Sequence, residues 1–386
     1  GDQRRSSVAD RYTRRVVDCE RQVAQLFRRL ETEDHNFSFN YRLPTASAAQ
    51  LQNTLEGDEQ AIEYFTTGDD VSAFVASRDQ FSVVRAIASK RDLEQHLAEL
   101  RFQLEKFTYG AQYVDRHFWQ LKEVTDRCLS RLYEAVFAPL EPMANRGRLT
   151  VIPHGSLHYV PFHALCDTEG SYLIDRFEIS YAPSTAVLKL CRAKKNRAPD
   201  DKLVAFGFAE RGTPAIEDEL GALGAIFRDA VLVTGSDATR NNLLRLAPQA
   251  RFLHIASHGH FRRDNPMFSF LKLADSRLSF YNLLDLKLKA EMVTLSACHT
   301  GVNKVFPGDE LHGLMRGFVY AGAPALIMSL WAVNDASTSE LMREVYSHIR
   351  AGVDKRAALR RAQLMIKDEY GHPYYWAPFI LMGNPE

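Results

Sequence analysis

The sequence predicts an α/β protein in which a mainly parallel sheet is flanked by helices. From residue 203 onward, hydrophobic strands alternate with amphipathic helices, which is the pattern of crossover connections between parallel strands. A separate group of strands and helices precedes them, and a segment rich in Lys, Asn and Pro at 192–202 divides the two groups. With 386 residues, 46% of them hydrophobic, the chain is long enough for a large core and for two or three domains.

The amino-acid composition argues against several kinds of binding partner and against a disulfide-rich fold. The 48 basic residues balance 48 acidic ones, so no overall charge attracts nucleic acid or an anionic membrane. The five cysteines include no C-x-x-C pair, which argues against a disulfide framework and favours the reducing cytoplasm. No apolar run reaches the roughly 18 residues that a membrane span requires. Because the sequence begins with Gly1 rather than Met, we expect either a tag remnant or a segment of a longer polypeptide.

Residues 1–56 are predicted to form an amphipathic helix followed by a linker. In the Arg-rich segment 3–30, apolar residues recur at helical spacing at Val16, Val23, Phe27 and Leu30. The segment 34–56 is polar and lacks strong periodicity, which is typical of a linker or an extended arm. We therefore place a domain boundary near residue 57.

The next group, residues 57–198, begins with three short runs of β-branched and aromatic residues at 61–66, 72–77 and 81–87. Turn residues separate these runs, which favours an antiparallel meander. Apolar stripes predict two covering helices, and hydrophobic runs predict two further strands. The helices are expected at 91–107 and 118–137, and the strands at 148–153 and 177–181.

Residues 199–386 carry the alternating pattern. Strands are predicted at 203–208, 230–233, 251–257, 292–297, 325–333 and 379–381. Helices are predicted at 215–227, 240–246, 310–320, 337–350 and 355–367. Ser337 or Asp335 is expected to cap the fourth of these helices at its N-terminus, and Asp354 to cap the fifth. Gly352 is expected to end the fourth helix.

Two of these strands end in reactive side chains followed by glycine, in the segments 253–259 and 293–301. In parallel sheets the working site lies at the carboxyl ends of the strands. If the two strands are neighbours, His258 and Cys298 face each other, and an imidazole can activate a thiol. The N–H groups of Gly259 and Cys298 then suit an oxyanion hole. The alternative is that Cys298 is an ordinary buried cysteine, which is common at the end of a core strand.

A metal site is a second interpretation of the same region. His254, His258 and His260 share one face of a strand, and His299 is close in sequence. No H-E-x-x-H spacing is present and no acidic residue follows until Asp264, which argues against zinc. The remaining cysteines lie in helices or loops and are expected to be structural; they are Cys19, Cys128, Cys166 and Cys191.

Beyond the two strand ends, the chain resembles the CHAT domain family in several blocks. This family is a caspase-like cysteine peptidase module, related to separase and often found after tetratricopeptide repeats. In the catalytic part the blocks are GDELHGL at 308–314, AGAPA at 321–325, SLWAVND at 329–335 and WAPFILMG at 376–383. In the preceding part the resemblance includes IPHGSL at 152–157.

This resemblance implies a catalytic caspase-like half at 199–386, preceded by a degenerate, non-catalytic half at 57–198. His258 and Cys298 fall on the family's dyad and Gly259 on its oxyanion-hole glycine. Trp331 and Asp335 fall on the block that walls the specificity pocket, so Asp335 is expected either to contact a basic substrate side chain or simply to cap a helix.

The function implied is a cysteine endopeptidase that hydrolyses protein or peptide substrates without a metal or organic cofactor. Residues 1–56 would be the end of a regulatory helical-repeat region. Two alternatives stay open: a non-catalytic or autoinhibited interaction module of the same fold, and a zinc hydrolase.

Overall fold

The computed structural model describes residues 46–194, 201–208, 214–260, 268–298 and 309–386, together with single positions between 15 and 26. The chain divides into two compact units, Gly1–Ala46 and Ser47–Glu386. In the first unit, the described positions between 15 and 26 are helical, as their apolar spacing predicts. Two of the four apolar positions, Phe27 and Leu30, lie outside the described residues.

The second unit alternates strands and helices. The strands are β1 (Glu59–Thr67), β2 (Asp70–Ser77), β3 (Phe81–Ser89), β4 (Arg148–Ile152), β5 (Glu178–Tyr181), β6 (Lys202–Phe208), β7 (Asp229–Thr234), β8 (Phe252–His260), β9 (Phe270–Lys272), β10 (Arg277–Ser279), β11 (Met292–Cys298), β12 (Ala325–Ser329) and β13 (Phe379–Gly383). The helices are α1 (Ala48–Thr54), α2 (Lys90–Glu105), α3 (Ala111–Val136), α4 (Leu173–Arg176), α5 (Thr185–Ala193), α6 (Pro214–Ile226), α7 (Arg240–Leu246), α8 (Phe280–Leu283), α9 (Asp309–Ala321), α10 (Asp335–Arg350), α11 (Lys355–Tyr370) and α12 (Pro373–Trp376).

A single mixed sheet runs through this unit in the order β7-β6-β8-β11-β12-β13-β5-β4-β1-β2-β3. The first five strands of this order, β7, β6, β8, β11 and β12, pair in parallel. A second parallel set consists of β13, β5, β4 and β1. The antiparallel pairing of β12 with β13 joins the two sets. The expected α/β class, with a mainly parallel sheet flanked by helices, is confirmed.

The central strands are buried on both faces. Every residue from Phe252 to Ser257 in β8 and from Met292 to Ser296 in β11 is buried. Successive side chains of a strand point to opposite faces, so helices must cover this part of the sheet on both sides. Helices α6 and α10 pack against each other, as do α2 and α3.

The meander predicted for residues 61–87 is confirmed, since β1 pairs antiparallel with β2 and β2 with β3. The predicted linker 34–56 is wrong at its end, where α1 forms. Ser47 and Gln50 make a capping box at the start of this helix. Leu51 and Leu55 are buried in a small cluster beneath it, so burial of two leucines stabilises a helix too short to show periodicity.

Other differences concern where elements end. Strand β8 continues to His260 because Gly259 and His260 pair with β9, a contact that the local sequence does not reveal. Strand β12 ends at Ser329 rather than at residue 333. Asp354 caps α11 as expected. The boundaries proposed near residues 57 and 199 stay predictions.

Candidate active site

The carboxyl ends of three parallel neighbours, β8, β11 and β12, lie at one edge of the sheet. Strands β8 and β11 are adjacent, which is the condition for His258 and Cys298 to lie close together. In their register, Cys298 stands directly opposite His258. Adjacent strands lie about 4.8 Å apart, so the two backbone positions are close neighbours.

His258 is half-buried near the end of β8. Its Nδ1 is buried, and no atom within the described part of the chain hydrogen-bonds to it. An unsatisfied buried polar atom costs about 1–3 kcal/mol, and such atoms require an explanation such as a catalytic role or an unseen partner. The Nδ1 of His258 is one of several such atoms in the described residues, and it lies at this edge of the sheet.

Gly259 and His260 complete the end of β8. Gly259 is buried and pairs with Leu271 of β9. His260 is exposed, and its ring packs against Phe270 with the ring centroids 5.1 Å apart. The short strand β9 thus forms one side of the edge beside His258.

Trp331 and Asp335 follow β12 and so lie towards the same edge as His258. The Trp331 Nε1–H donates to the carbonyl oxygen of Tyr374 at 3.2 Å, which fixes the indole ring. Asp335 is the exposed first residue of α10. The expectation that Asp335 or Ser337 caps this helix is wrong: Asn334 is the cap, and its Oδ1 accepts from the Ser337 N–H at 3.1 Å. Asn334 has the extended backbone that a cap needs, whereas Asp335 is already helical.

The histidines considered as metal ligands have different surroundings. His254 is fully buried, with Nε2 3.1 Å from Oε1 of Glu219, whereas His260 is exposed. His299 lies outside the described residues. Across the ranges that the structure describes, no three His, Cys, Asp or Glu side chains are gathered as metal ligands would be.

Three of the other cysteines are buried, namely Cys128, Cys166 and Cys191. Burial raises the pKa of all three thiols, that of Cys166 and of Cys191 to about 12. A thiol with a raised pKa stays protonated at neutral pH and is a poor nucleophile. The buried positions agree with the structural role expected of these three residues, whereas Cys19 is exposed.

Beneath the site lies a buried polar chain, a series of polar side chains in contact with one another, which the local sequence does not predict. The Ser296 hydroxyl donates to Glu219 Oε2 at 3.2 Å, and the hydroxyls of Thr294 and Tyr346 lie 2.9 Å apart. The Tyr346 hydroxyl is 3.4 Å from Nδ1 of His254. In the sequence, the signal for these polar contacts is limited to polar residues at alternate positions of β11. Glu219 and Tyr346 come from helices that are distant in the sequence.

Comparisons with known proteins place these features in a family. The model of the CHAT domain matches residues 126–384. Tetratricopeptide repeat protein 28 of Mus musculus and of Homo sapiens are each 24% identical over 66% of this chain. The chain spans only 13% of the length of these relatives.

Solved structures resemble the chain in fold. Two crystal structures of the Saccharomyces cerevisiae separase-securin complex match it with TM-scores of 0.61 and 0.60, at 12% identity. Both alignments cover 88% of this chain and 31% of the matched chain. At this identity the likeness establishes the fold alone. Within the described residues, no helix is both long and apolar enough to span a bilayer.

Proposed function

The chain belongs to the CHAT domain family, and on that premise we propose that it is a cysteine endopeptidase with His258 and Cys298 as its catalytic dyad. The observation that carries this proposal is the register of β8 and β11, which sets Cys298 opposite His258 near the carboxyl ends of both strands. The buried Nδ1 of His258, to which no atom of the described residues hydrogen-bonds, supports it further.

In the proposed reaction, His258 takes the thiol proton of Cys298, and the sulfur attacks the carbonyl carbon of the scissile peptide. The negative charge that develops on the carbonyl oxygen is assigned to the backbone N–H groups of Gly259 and Cys298. The C–N bond then breaks as protonated His258 gives its proton to the leaving amine. The product is a thioester between Cys298 and the acyl part of the substrate.

Water completes the cycle. Neutral His258 removes a proton from a water molecule, whose oxygen attacks the thioester carbon. The C–S bond breaks, the Cys298 thiolate leaves, and the carboxylic product forms. The proton held by His258 returns to the sulfur, so the enzyme regains its starting state without metal or organic cofactor.

Cleavage of a proteome-derived peptide library tests the proposal. We expect Cys298→Ala to abolish cleavage while the melting temperature changes by less than about 4 °C. Cys19→Ser removes an exposed thiol elsewhere in the chain and should leave cleavage intact. Undiminished cleavage by Cys298→Ala would exclude the dyad.

A thiol-reactive peptidyl probe separates the peptidase from a non-catalytic interaction module of the same fold. We expect the probe to label Cys298 in preference to the buried cysteines, whose pKa values are raised. Absence of labelling under every activating condition would favour the module.

The specificity proposal is that Asp335 receives a basic side chain of the substrate, with Trp331 forming part of the pocket wall. Asp335 is exposed beyond β12, and a carboxylate there suits Lys or Arg. We expect Asp335→Ala to lose cleavage after Lys and Arg selectively.

The neighbouring Asn334→Ala variant is the control for this experiment. It removes the cap of α10 and should cost about 1 kcal/mol of stability without changing the preferred cleavage site. An unchanged cleavage profile in Asp335→Ala would refute the basic pocket.

We also propose the arrangement of the larger protein. Residues 57–198 form a non-catalytic caspase-like half and residues 199–386 the catalytic half. The tetratricopeptide repeat relatives support a helical-repeat regulatory region of which residues 1–56 are the end.

A further inference from the structure

The polar chain under the candidate site joins two strands and one helix through a single carboxylate. Glu219 of α6 is almost fully buried, with 7% of its side chain exposed. One of its oxygens, Oε1, lies 3.1 Å from His254 of β8, and the other accepts the hydroxyl hydrogen of Ser296 in β11. Glu219 therefore contacts both strands that carry the proposed dyad.

A series of short polar contacts continues from His254. Its Nδ1 lies 3.4 Å from the hydroxyl oxygen of Tyr346, and that oxygen lies 2.9 Å from the hydroxyl oxygen of Thr294. The His254 and Glu219 atoms are within hydrogen-bond distance but poorly aligned, and neither has another partner among the described residues.

Burying such groups costs stability. An ionisable pair in the core must overcome a desolvation penalty that apolar side chains of similar volume would avoid. Where such groups are kept, the best-attested use is to select one register over its competitors. Glu219 contacts β8 and β11, so the register in question is that of these two strands.

The backbone ladder does not choose the register of two parallel strands by itself. A slip of two residues restores the same hydrogen-bond pattern and keeps each side chain on its own face. The contacts of Glu219 would not survive such a slip, because they require position 254 opposite 294 and position 256 opposite 296.

We propose that Glu219 is a positioning residue that locks the register of β8 and β11 through His254 and Ser296. The register it selects is the one that sets Cys298 opposite His258, two residues beyond Ser296 and four beyond His254. Its consequence for catalysis rests on the proposed function, whereas the register lock itself does not.

The test compares two single hydroxyl deletions on β11. Ser296→Ala removes the contact with Glu219, whereas Thr294→Val removes a contact with Tyr346 on the same face of the same strand. Ser296→Thr keeps the hydroxyl and is the rescue variant. Two quantities are measured in the full chain: hydrogen exchange at the amides of residues 256–260 and 296–298, and the rate of Cys298 alkylation by iodoacetamide.

For Ser296→Ala we expect amide exchange at the strand ends to rise at least about 10-fold, and alkylation to fall by about 10- to 100-fold. Ser296→Thr should restore both, and Thr294→Val should leave both near the wild-type values. If a peptide substrate is found, Ser296→Ala should lower kcat and leave KM unchanged.

Unchanged exchange in Ser296→Ala would overturn the register lock, and so would an equal effect of Thr294→Val, which would indicate general damage to the core. If wild-type Cys298 reacts with no probe but Ser296→Ala still loosens the strand ends, the register lock stands and the peptidase proposal fails. The two proposals therefore fail separately.

Discussion

At the scale of single residues, His163 shows how burial fixes a protonation state. Its Nε2 lies 3.0 Å from the carbonyl oxygen of Ala377, and its Nδ1 lies 3.1 Å from the Tyr181 hydroxyl. A carbonyl only accepts, so Nε2 carries the hydrogen and Nδ1 accepts from Tyr181. Burial lowers the pKa of His163 from 6.5 to about 4, although the bond to Ala377 opposes the shift.

This lowered pKa predicts that the protein loses stability in mild acid. Between pH 6.5 and 4 the unfolded chain binds a proton at His163 that the folded chain does not. Stability is therefore complete above about pH 6.5 and falls as the pH decreases, by about 2 kcal/mol at pH 5 from this residue alone. Urea unfolding at pH 7.5 and at pH 5 measures the loss.

His163→Gln isolates the contribution of His163. This variant should be less stable at pH 7.5, and it should lose about 2 kcal/mol less than the wild type on going to pH 5. Burial also lowers the pKa of His372, to about 3, so part of the acid sensitivity will persist. Equal pH dependence in the variant and the wild type would contradict the assignment.

At the scale of elements, two glycines define the position of β12, the strand beside β11. Gly322 follows α9 with a φ of +124°, and a Cβ built on it would lie 2.4 Å from the carbonyl oxygen of Leu288. Gly383 ends β13 with a φ of +94°, and its Cβ would lie 2.3 Å from the carbonyl oxygen of Pro324. Both obstacles are backbone atoms, which cannot rotate away.

We expect Gly383→Ala to destabilise the protein by about 2–4 kcal/mol, because it combines an unfavourable φ with a backbone clash. Gly352→Ala is the matched control: its φ is +85°, but nothing lies within 4 Å of the added Cβ. That variant should cost only about 1 kcal/mol. Thermal unfolding of both variants measures the loss of stability. Equal losses would show that the structure relieves the clash at position 383.

At the scale of the whole molecule, a buried ion cluster ties the first strand to the last long helix. Glu59 of β1 is fully buried and accepts hydrogen bonds from Arg192 at 2.7 Å and from Arg356 of α11 at 2.9 Å. Thr150 of the neighbouring strand donates to the same carboxylate. Burial alone would raise the pKa of Glu59, but the two guanidinium groups outweigh it and the pKa is lowered.

Because of this cluster, Glu59→Gln should destabilise the whole second unit by about 3–5 kcal/mol, leaving two guanidinium groups beside a neutral amide. Glu123→Gln is the comparison, since it breaks the exposed pair with Arg127 and should cost less than about 0.5 kcal/mol. Denaturant unfolding of the two variants measures the difference. A loss below 1 kcal/mol in Glu59→Gln would mean that the cluster contributes no net stability.

The local sequence predicts most elements of this fold because their signals lie within short segments of the chain. Examples are the stripe of leucines in α2, the turn residues between β1, β2 and β3, and the cap at Asp354. The same holds for the candidate dyad, since His258 lies near the end of one hydrophobic strand and Cys298 ends another. Local patterns do not predict helix α1 or the extra residues of β8, because Leu51 and Gly259 depend on contacts with distant segments.

By itself, the sequence determined the α/β class, the strand ends that carry His258 and Cys298, and the resemblance to the CHAT domain. Each of these depends on residues that are near one another in the chain. Only the tertiary structure decided that Cys298 stands opposite His258, that Asn334 rather than Asp335 caps α10, and that Glu219 reaches both β8 and β11. These features depend on strand order and on packing between distant segments, which no local pattern specifies.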